Sequence, residues 1–160
     1  METKKFRANY ILIPAFTIFI ALLGSYITKS EMSWYQGINI PSWAPSGMLI
    51  GIVWTIIFIL TAKSALIVWN SKYPKIKRVG IVMSMFLINA MLNVWWSTLF
   101  FGQHMIGLAI FDSILLGLSV LILIILIWPI RRSASLLLVP YLAWVSFATY
   151  LNYLIFILNK

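Results

Sequence analysis

Residues 118–128 read LSVLILIILIW, an apolar run with one serine and no charge. A surface helix would reserve one face for polar residues, and a half-buried strand would alternate. This run does neither, and LIGIVWTIIFIL at residues 49–60 repeats the pattern. Working outward from these two runs, five apolar segments cover about 8–28, 48–69, 79–101, 105–128 and 134–158. Each is about 20–25 residues long, enough to cross a hydrocarbon core of about 30 Å at about 1.5 Å per residue. A transmembrane β-barrel would alternate polar and apolar residues in segments of about ten. The expected fold is therefore an all-α integral membrane protein, a bundle of five transmembrane helices. It forms one domain over residues 1–160, with a connection at 29–47 between the first two spans.

Composition agrees, with 62% hydrophobic and 9% charged residues against about 25% charged in soluble domains. The chain has no cysteine, which excludes disulfides, thiolate chemistry and Cys-based metal sites. The start METKKFRANYILIPAF imitates a signal peptide. No small-x-small cleavage site follows, so the first helix is expected to be retained.

The net charge of +9 is distributed by membrane side. Lys4, Lys5, Arg7, Lys72, Lys75, Lys77, Arg78, Arg131 and Arg132 fall on one side of the five spans, and Lys29 and Lys160 on the other. Lys63 lies inside the second span near the basic side, where it can snorkel. Positively charged loops stay inside, which places the N-terminus inside and the C-terminus outside. The basic excess is thus a topology signal that also suits anionic lipid. Nucleic acid is not an expected partner.

The stretch WYQGINIPSWAPSG, residues 34–47, then lies on the charge-poor side. Its prolines, Pro41 and Pro45, restrict the chain and lower the entropic cost of closing over a ligand, so it reads as a lid. Beneath it, Trp54 and Phe58 stand one helical turn apart, and Asn89, Asn93 and Trp96 share a helix face. Trp144, Ala148 and Asn152 share another, and Ser25 lies near the same end of the first span. Trp69 and Trp128 sit where an interfacial aromatic belt is expected; Trp95 and Trp96 fit either a belt or the interior. Trp54 and Trp144 lie deeper than a belt requires and read as pocket lining. Intramembrane asparagines also bond neighbouring helices at about 0.6–2 kcal/mol each, and Asn93 taken alone fits that structural role. Asp112 costs about 2.5–3.5 kcal/mol if charged at a helix centre, so it should face the bundle, pair or carry a proton. His104 is the one histidine, and a lone loop histidine is usually solvated. No His/Asp/Glu cluster suggests a metal, and no nucleophile–base set or phosphate loop appears. What remains is a pocket of flat aromatic faces with a few amides. Such a pocket suits a large, flat, mostly apolar molecule.

Three stretches resemble, in order, the signatures of the TspO/MBR family, which comprises tryptophan-rich sensory proteins and the mitochondrial translocator protein, or peripheral benzodiazepine receptor. They are WYQGINIPSWAPSGMLIGIVWT (34–55), LNVWWSTLFFG with LAIFD (92–102 and 108–112), and PYLAWVSFATYLNY (140–153). The resemblance implies a five-helix bundle, commonly a homodimer, that binds porphyrins such as protoporphyrin IX. It also implies benzodiazepine-type ligands and, in animal members, cholesterol. Carried over by matching position, the ligand-binding set is Tyr35, Trp43, Pro45, Ile50, Trp54, Phe58, Ala90, Asn93, Trp96, Trp144 and Ala148. Ser25 joins it by depth.

No cofactor is required, and porphyrin is ligand or substrate. The function implied is a tetrapyrrole sensor or scavenger. One alternative is light- and oxygen-dependent porphyrin degradation, with Trp54 and Trp144 as the catalytic pair. Another is transport of porphyrins or lipids. Ser46 and Ile52 stand where the family often has proline, which predicts a looser lid hinge. Ile157 replaces the arginine of the cholesterol-associated motif, and Lys160 lies too far past Tyr153 to substitute. Poor or nonspecific cholesterol binding is expected. Small-residue pairs Gly80/Ser84, Gly47/Gly51 and Ser113/Gly117 allow close helix packing in a dimer. Without an Arg/Ser-rich presequence, the expected location is a bacterial inner membrane.

Overall fold

The structure is a computed structural model that describes residues 8–71 and 76–160. Expectations placed on Lys4, Lys5, Arg7, Lys72 and Lys75 fall outside those residues. The order is α1 (Asn9–Ser30), α2 (Met32–Gly37), α3 (Gly47–Trp69), α4 (Ile76–Ser97), α5 (Ile106–Ile127), α6 (Arg132–Leu136) and α7 (Val139–Leu158). A π-helical turn, Thr98–Gly102, extends α4. Among the described residues five helical segments are long and apolar enough to cross a membrane, and the chain is an integral membrane protein. They match the five expected spans, with two local differences.

The last span is split. Pro140 has no N–H to return to the carbonyl of Leu136, and the chain turns at Leu137 and Leu138 between α6 and α7. The connection at 29–47 is also more ordered than a loop. Helix α1 runs to Ser30, α2 follows after Glu31, and otherwise only residues 38–46 are non-helical. Ser46 caps α3 by accepting the Leu49 N–H on its Oγ at 3.3 Å. An N-capping hydroxyl satisfies one of a helix's free first-turn donors.

Helix α5 is the centre of the bundle, packed between α4 and α7. Leu116, Val120, Leu123 and Ile127 on α5 meet Val82 and Phe86 of α4 and Tyr141 and Val145 of α7 in one core. Two glycines let α5 and α7 approach. A Cβ on Gly107 would lie 3.3 Å from the Phe156 ring, and one on Gly117 3.5 Å from Val145. Helix α6 is tied at both sides: Ser64 Oγ donates to the Ala134 carbonyl at 2.8 Å, and Ser135 Oγ donates to the Ile124 carbonyl at 2.7 Å. Lipid cannot satisfy polar groups, so many hydroxyls turn back on their own helix. Thr17, Thr55, Ser146 and Thr149 each donate to the carbonyl four residues earlier.

At one end of the bundle the chain carries Lys77, Arg78, Arg131 and Arg132; at the other it carries α2 and the 38–46 segment. These are called below the basic end and the lid end.

Candidate functional site

A cavity of about 680 Å³ opens between α1, α3 and α4, with Tyr141 of α7 at its deep end. Its walls come from the first half of α1, the second half of α3 and the middle of α4. In an antiparallel bundle these stretches share the basic half and reach the middle. The rim is formed by Asn9, Trp69 and Asn70, and the floor by Phe58, Ala90, Asn93 and Tyr141. Trp69 therefore does more than the expected belt duty, since its exposed side chain also edges the cavity.

The floor carries a hydrogen-bonded chain across three helices. Tyr141 donates its hydroxyl to Asn89 Oδ1 at 3.1 Å, and Asn89 Nδ2 donates to Ser119 Oγ at 2.8 Å. Asn93 Nδ2 reaches the Tyr141 oxygen at 3.5 Å, a long contact. Satisfied buried networks of this kind hold a single arrangement of helices. Asn93 thus combines both roles weighed for it, bonding a neighbouring helix and lining the cavity.

The twelve expected site residues fall into groups rather than one pocket. Phe58, Ala90 and Asn93 line the cavity. Trp54, half-buried, borders it through ring contacts with Phe58 at 5.7 Å and, edge-on, with Tyr141 at 5.8 Å. Trp43 and Trp144 meet through Phe147, whose ring lies 6.1 Å from Trp43 and 5.4 Å from Trp144. Trp43 also stacks on Tyr150 at 6.4 Å, laying the lid across the end of α7. Tyr35 and Trp96 belong to a third group. Trp96 stacks on Phe100 at 5.3 Å, and Tyr35 sits 5.6 Å from Phe101. This aromatic plug resolves the open choice at residues 95 and 96, with Trp95 exposed and Trp96 turned inward. Burial pushes the Tyr35 phenol above its ordinary value, so it stays neutral as a donor. Pro45, Ile50 and Ala148 are half-buried, and Ser25 is exposed on α1.

Several polar groups await a partner. The indole Nε1 atoms of Trp96 and Trp144, Asp112 Oδ2 and Asn152 Nδ2 are buried without one, as are Asn9 Nδ2 and Thr61 Oγ1 at the cavity. Asp112 faces the bundle, as its cost in lipid requires. His104 is not simply solvated. It stacks on Trp34 at 4.1 Å, and its Nε2 lies 3.4 Å from Glu31. The lid has a second fastening, where Asn39 N–H donates to Asn159 Oδ1 at 2.9 Å and Asn159 Nδ2 donates to the Asn39 carbonyl at 2.8 Å. Among the described residues no group of three His, Cys, Asp or Glu is placed to hold a metal.

The bundle, its order of aromatic stretches and its lid can now be set beside known proteins. The chain matches the TspO/MBR family over residues 11–158. It belongs to the TspO/MBR family. It is 38% identical to the tryptophan-rich protein TspO of Chlorobaculum tepidum over 141 residues, covering 88% of this chain and 89% of that one. It is 36% identical to the TspO protein of Archaeoglobus fulgidus over 160 residues, 99% of each chain. The human translocator protein is 28% identical over 146 residues, 91% of this chain and 85% of that one. Within this TspO/MBR chain, Tyr141 is the floor residue that sequence reasoning missed. Its signal was present, because residues 141, 144/145, 148 and 152 fall on one helical face. Asn9, Thr17 and Thr61 carried no such signal.

Proposed function

We propose that this TspO/MBR chain is a membrane tetrapyrrole-binding protein of the protoporphyrin IX type, acting as a sensor or scavenger and also taking benzodiazepine-type ligands. The observation that carries the reading is the mid-bundle meeting of flat and polar groups. The ring of Phe58 stands with the amide of Asn93 and the phenol of Tyr141 at the floor of a cavity of about 680 Å³, and Trp54 packs against Phe58 and Tyr141 at its border. A flat macrocycle stacks offset on such rings, and the amide orients it. The unpartnered Nε1 atoms of Trp96 and Trp144 supply further donors towards the lid end. Family membership supports the same ligand class. The lid is clasped by Asn39 and Asn159 and pinned by Trp43 against Phe147 and Tyr150 at the far end. The single domain lies with its basic end inside, in a bacterial inner membrane, and pairs as a homodimer.

A second reading is oxidation of the bound ring by dioxygen in light. It is favoured by the edge-on contact of two oxidisable rings, Trp54 and Tyr141, beside the floor. Titrating protoporphyrin IX into detergent-purified protein and then illuminating in air tests both. The Trp54→Phe/Trp144→Phe variant is expected to bind about tenfold more weakly, roughly 1.4 kcal/mol. Saturable binding with no more Soret loss than free porphyrin supports the sensor or scavenger. Protein-dependent Soret loss abolished in the double variant supports the enzyme. Absence of saturable binding overturns both.

A further inference from the structure

The cavity has a second half that the ring reading does not use. Helix α1 is buried only at Asn9 and Ile20, and both residues line the cavity, one at the rim and one deep. Between them α1 forms a wall without closing it. Leu12, Phe16 and Leu87 line the cavity while remaining 65%, 41% and 51% exposed, so its flank opens directly onto the lipid. The eleven steps from Asn9 to Ile20 rise about 16 Å, close to half of a hydrocarbon core of about 30 Å. The slot therefore spans the depth of one leaflet, which is the length available to one acyl chain.

The chemistry along the slot is graded in the same sense. Ile13, Phe16, Ala65, Met83 and Phe86 make its middle apolar. Thr17 already spends its hydroxyl on the Ile13 carbonyl at 2.9 Å, and Thr61 can turn to its own helix in the same manner. At the rim, by contrast, Asn9 Nδ2 is a pure donor, on a side chain 8% exposed, with no partner. A buried donor of this kind calls for an oxygen acceptor. Lys77 and Arg78 begin α4 at the same end, one to two turns before Met83, and Lys63 projects from α3. Positive charge at the surface, one amide donor at the rim and a leaflet-deep apolar slot form the sequence of environments along an anionic phospholipid.

We propose that the basic-end half of the cavity is a lipid site that takes one acyl chain of an anionic phospholipid sideways from the bilayer beside α1, with a carbonyl or phosphate oxygen of that lipid on Asn9 Nδ2. The site goes beyond tetrapyrrole binding and does not depend on it. Full-length protein reconstituted in bilayers is probed by electron paramagnetic resonance, using phosphatidylglycerol or phosphatidylcholine spin-labelled near the end of one chain. The wild type is expected to immobilise phosphatidylglycerol several-fold more strongly than phosphatidylcholine. Thr17→Trp, which fills the slot, should remove that extra immobilised fraction. Asn9→Leu leaves the packing in place and should bring the two lipids to near equality. An immobilised fraction without head-group preference in the wild type, or a preference untouched by either variant, overturns the site. Protoporphyrin IX titration of the Asn9→Leu protein reads the ring site separately. Lost lipid preference with retained porphyrin binding supports the lipid site, whereas a wild type that binds lipid selectively but no porphyrin sinks only the tetrapyrrole reading.

Discussion

Helices α1 and α5 are both 22 residues long and both highly apolar, yet α5 buries eight residues and α1 buries two. Hydropathy explains why each inserts, but lipid is as apolar as leucine and drives neither helix into its neighbours. Packing depends instead on shape. Helix α5 presents Gly107, Ser113, Gly117 and Ser119 to close partners. Helix α1 turns Leu12, Phe16, Phe19, Leu22 and Tyr26 outward and makes its own close approach at Gly24, where a Cβ would sit 3.5 Å from Ser97 Oγ. The contrast separates a closely packed scaffold, α4–α5–α7, from a wall, α1, that buries little of its surface.

The comparison breaks if the two regions respond alike to truncation. Leu123→Ala in α5 removes a fully buried side chain and is expected to cost about 2–4 kcal/mol, measured as unfolding in detergent. Leu22→Ala in α1, 65% exposed, should stay within about 0.5 kcal/mol. Equal losses would mean that α1 is as tightly packed as α5. A smaller effect is expected at the junction of the regions. Tyr141→Phe leaves Asn89 Oδ1 without its donor, at about 1–3 kcal/mol, and should also weaken porphyrin binding; a stability loss without a binding change would confine Tyr141 to the scaffold.

The lid sharpens the contrast further. Asn159→Ala removes both clasp bonds to Asn39 and is expected to cost about 1 kcal/mol, read as faster amide exchange in residues 38–40 with α5 unchanged. The smallest effect belongs to Glu31→Gln. The pair with His104 is 41% and 36% exposed on its two sides, so its loss should be at most about 0.5 kcal/mol and should vanish in high salt. A larger, salt-insensitive loss would show that the Trp34–His104 stack depends on the charge.

Much of the candidate site was legible because membrane helices have few polar residues. Each one stands out, and helical spacing assigns its face. Asn93 was found in this way, Phe58 by its one-turn spacing from Trp54 and Ala90 only by the family resemblance, and all three line the cavity. The division of the remaining set was less legible. Tyr35 and Trp96 pack with Phe100 and Phe101 because the π-helical turn at Thr98–Gly102 rotates those rings towards α2, and an inserted residue of that kind leaves no periodic signal. The prolines and glycines of 34–47 suggested an irregular lid, while Trp34 and Tyr35 gain enough ring contact to hold α2 helical. The break before α7 went unread, since hydropathy makes 134–158 one continuous span, although Pro140 carries its reason within four residues.

Length, hydropathy and the bias of basic residues were enough to determine five membrane helices and a distinct basic side, because insertion depends on local composition. The order of aromatic stretches was enough to indicate the family. Only the tertiary structure decided that the cavity lies against the first half of α1, that Tyr141 closes its floor, and that Asn9 faces it unpartnered. Those facts depend on the rotation and height of one helix against two others, which shape and close packing set and which no single segment encodes.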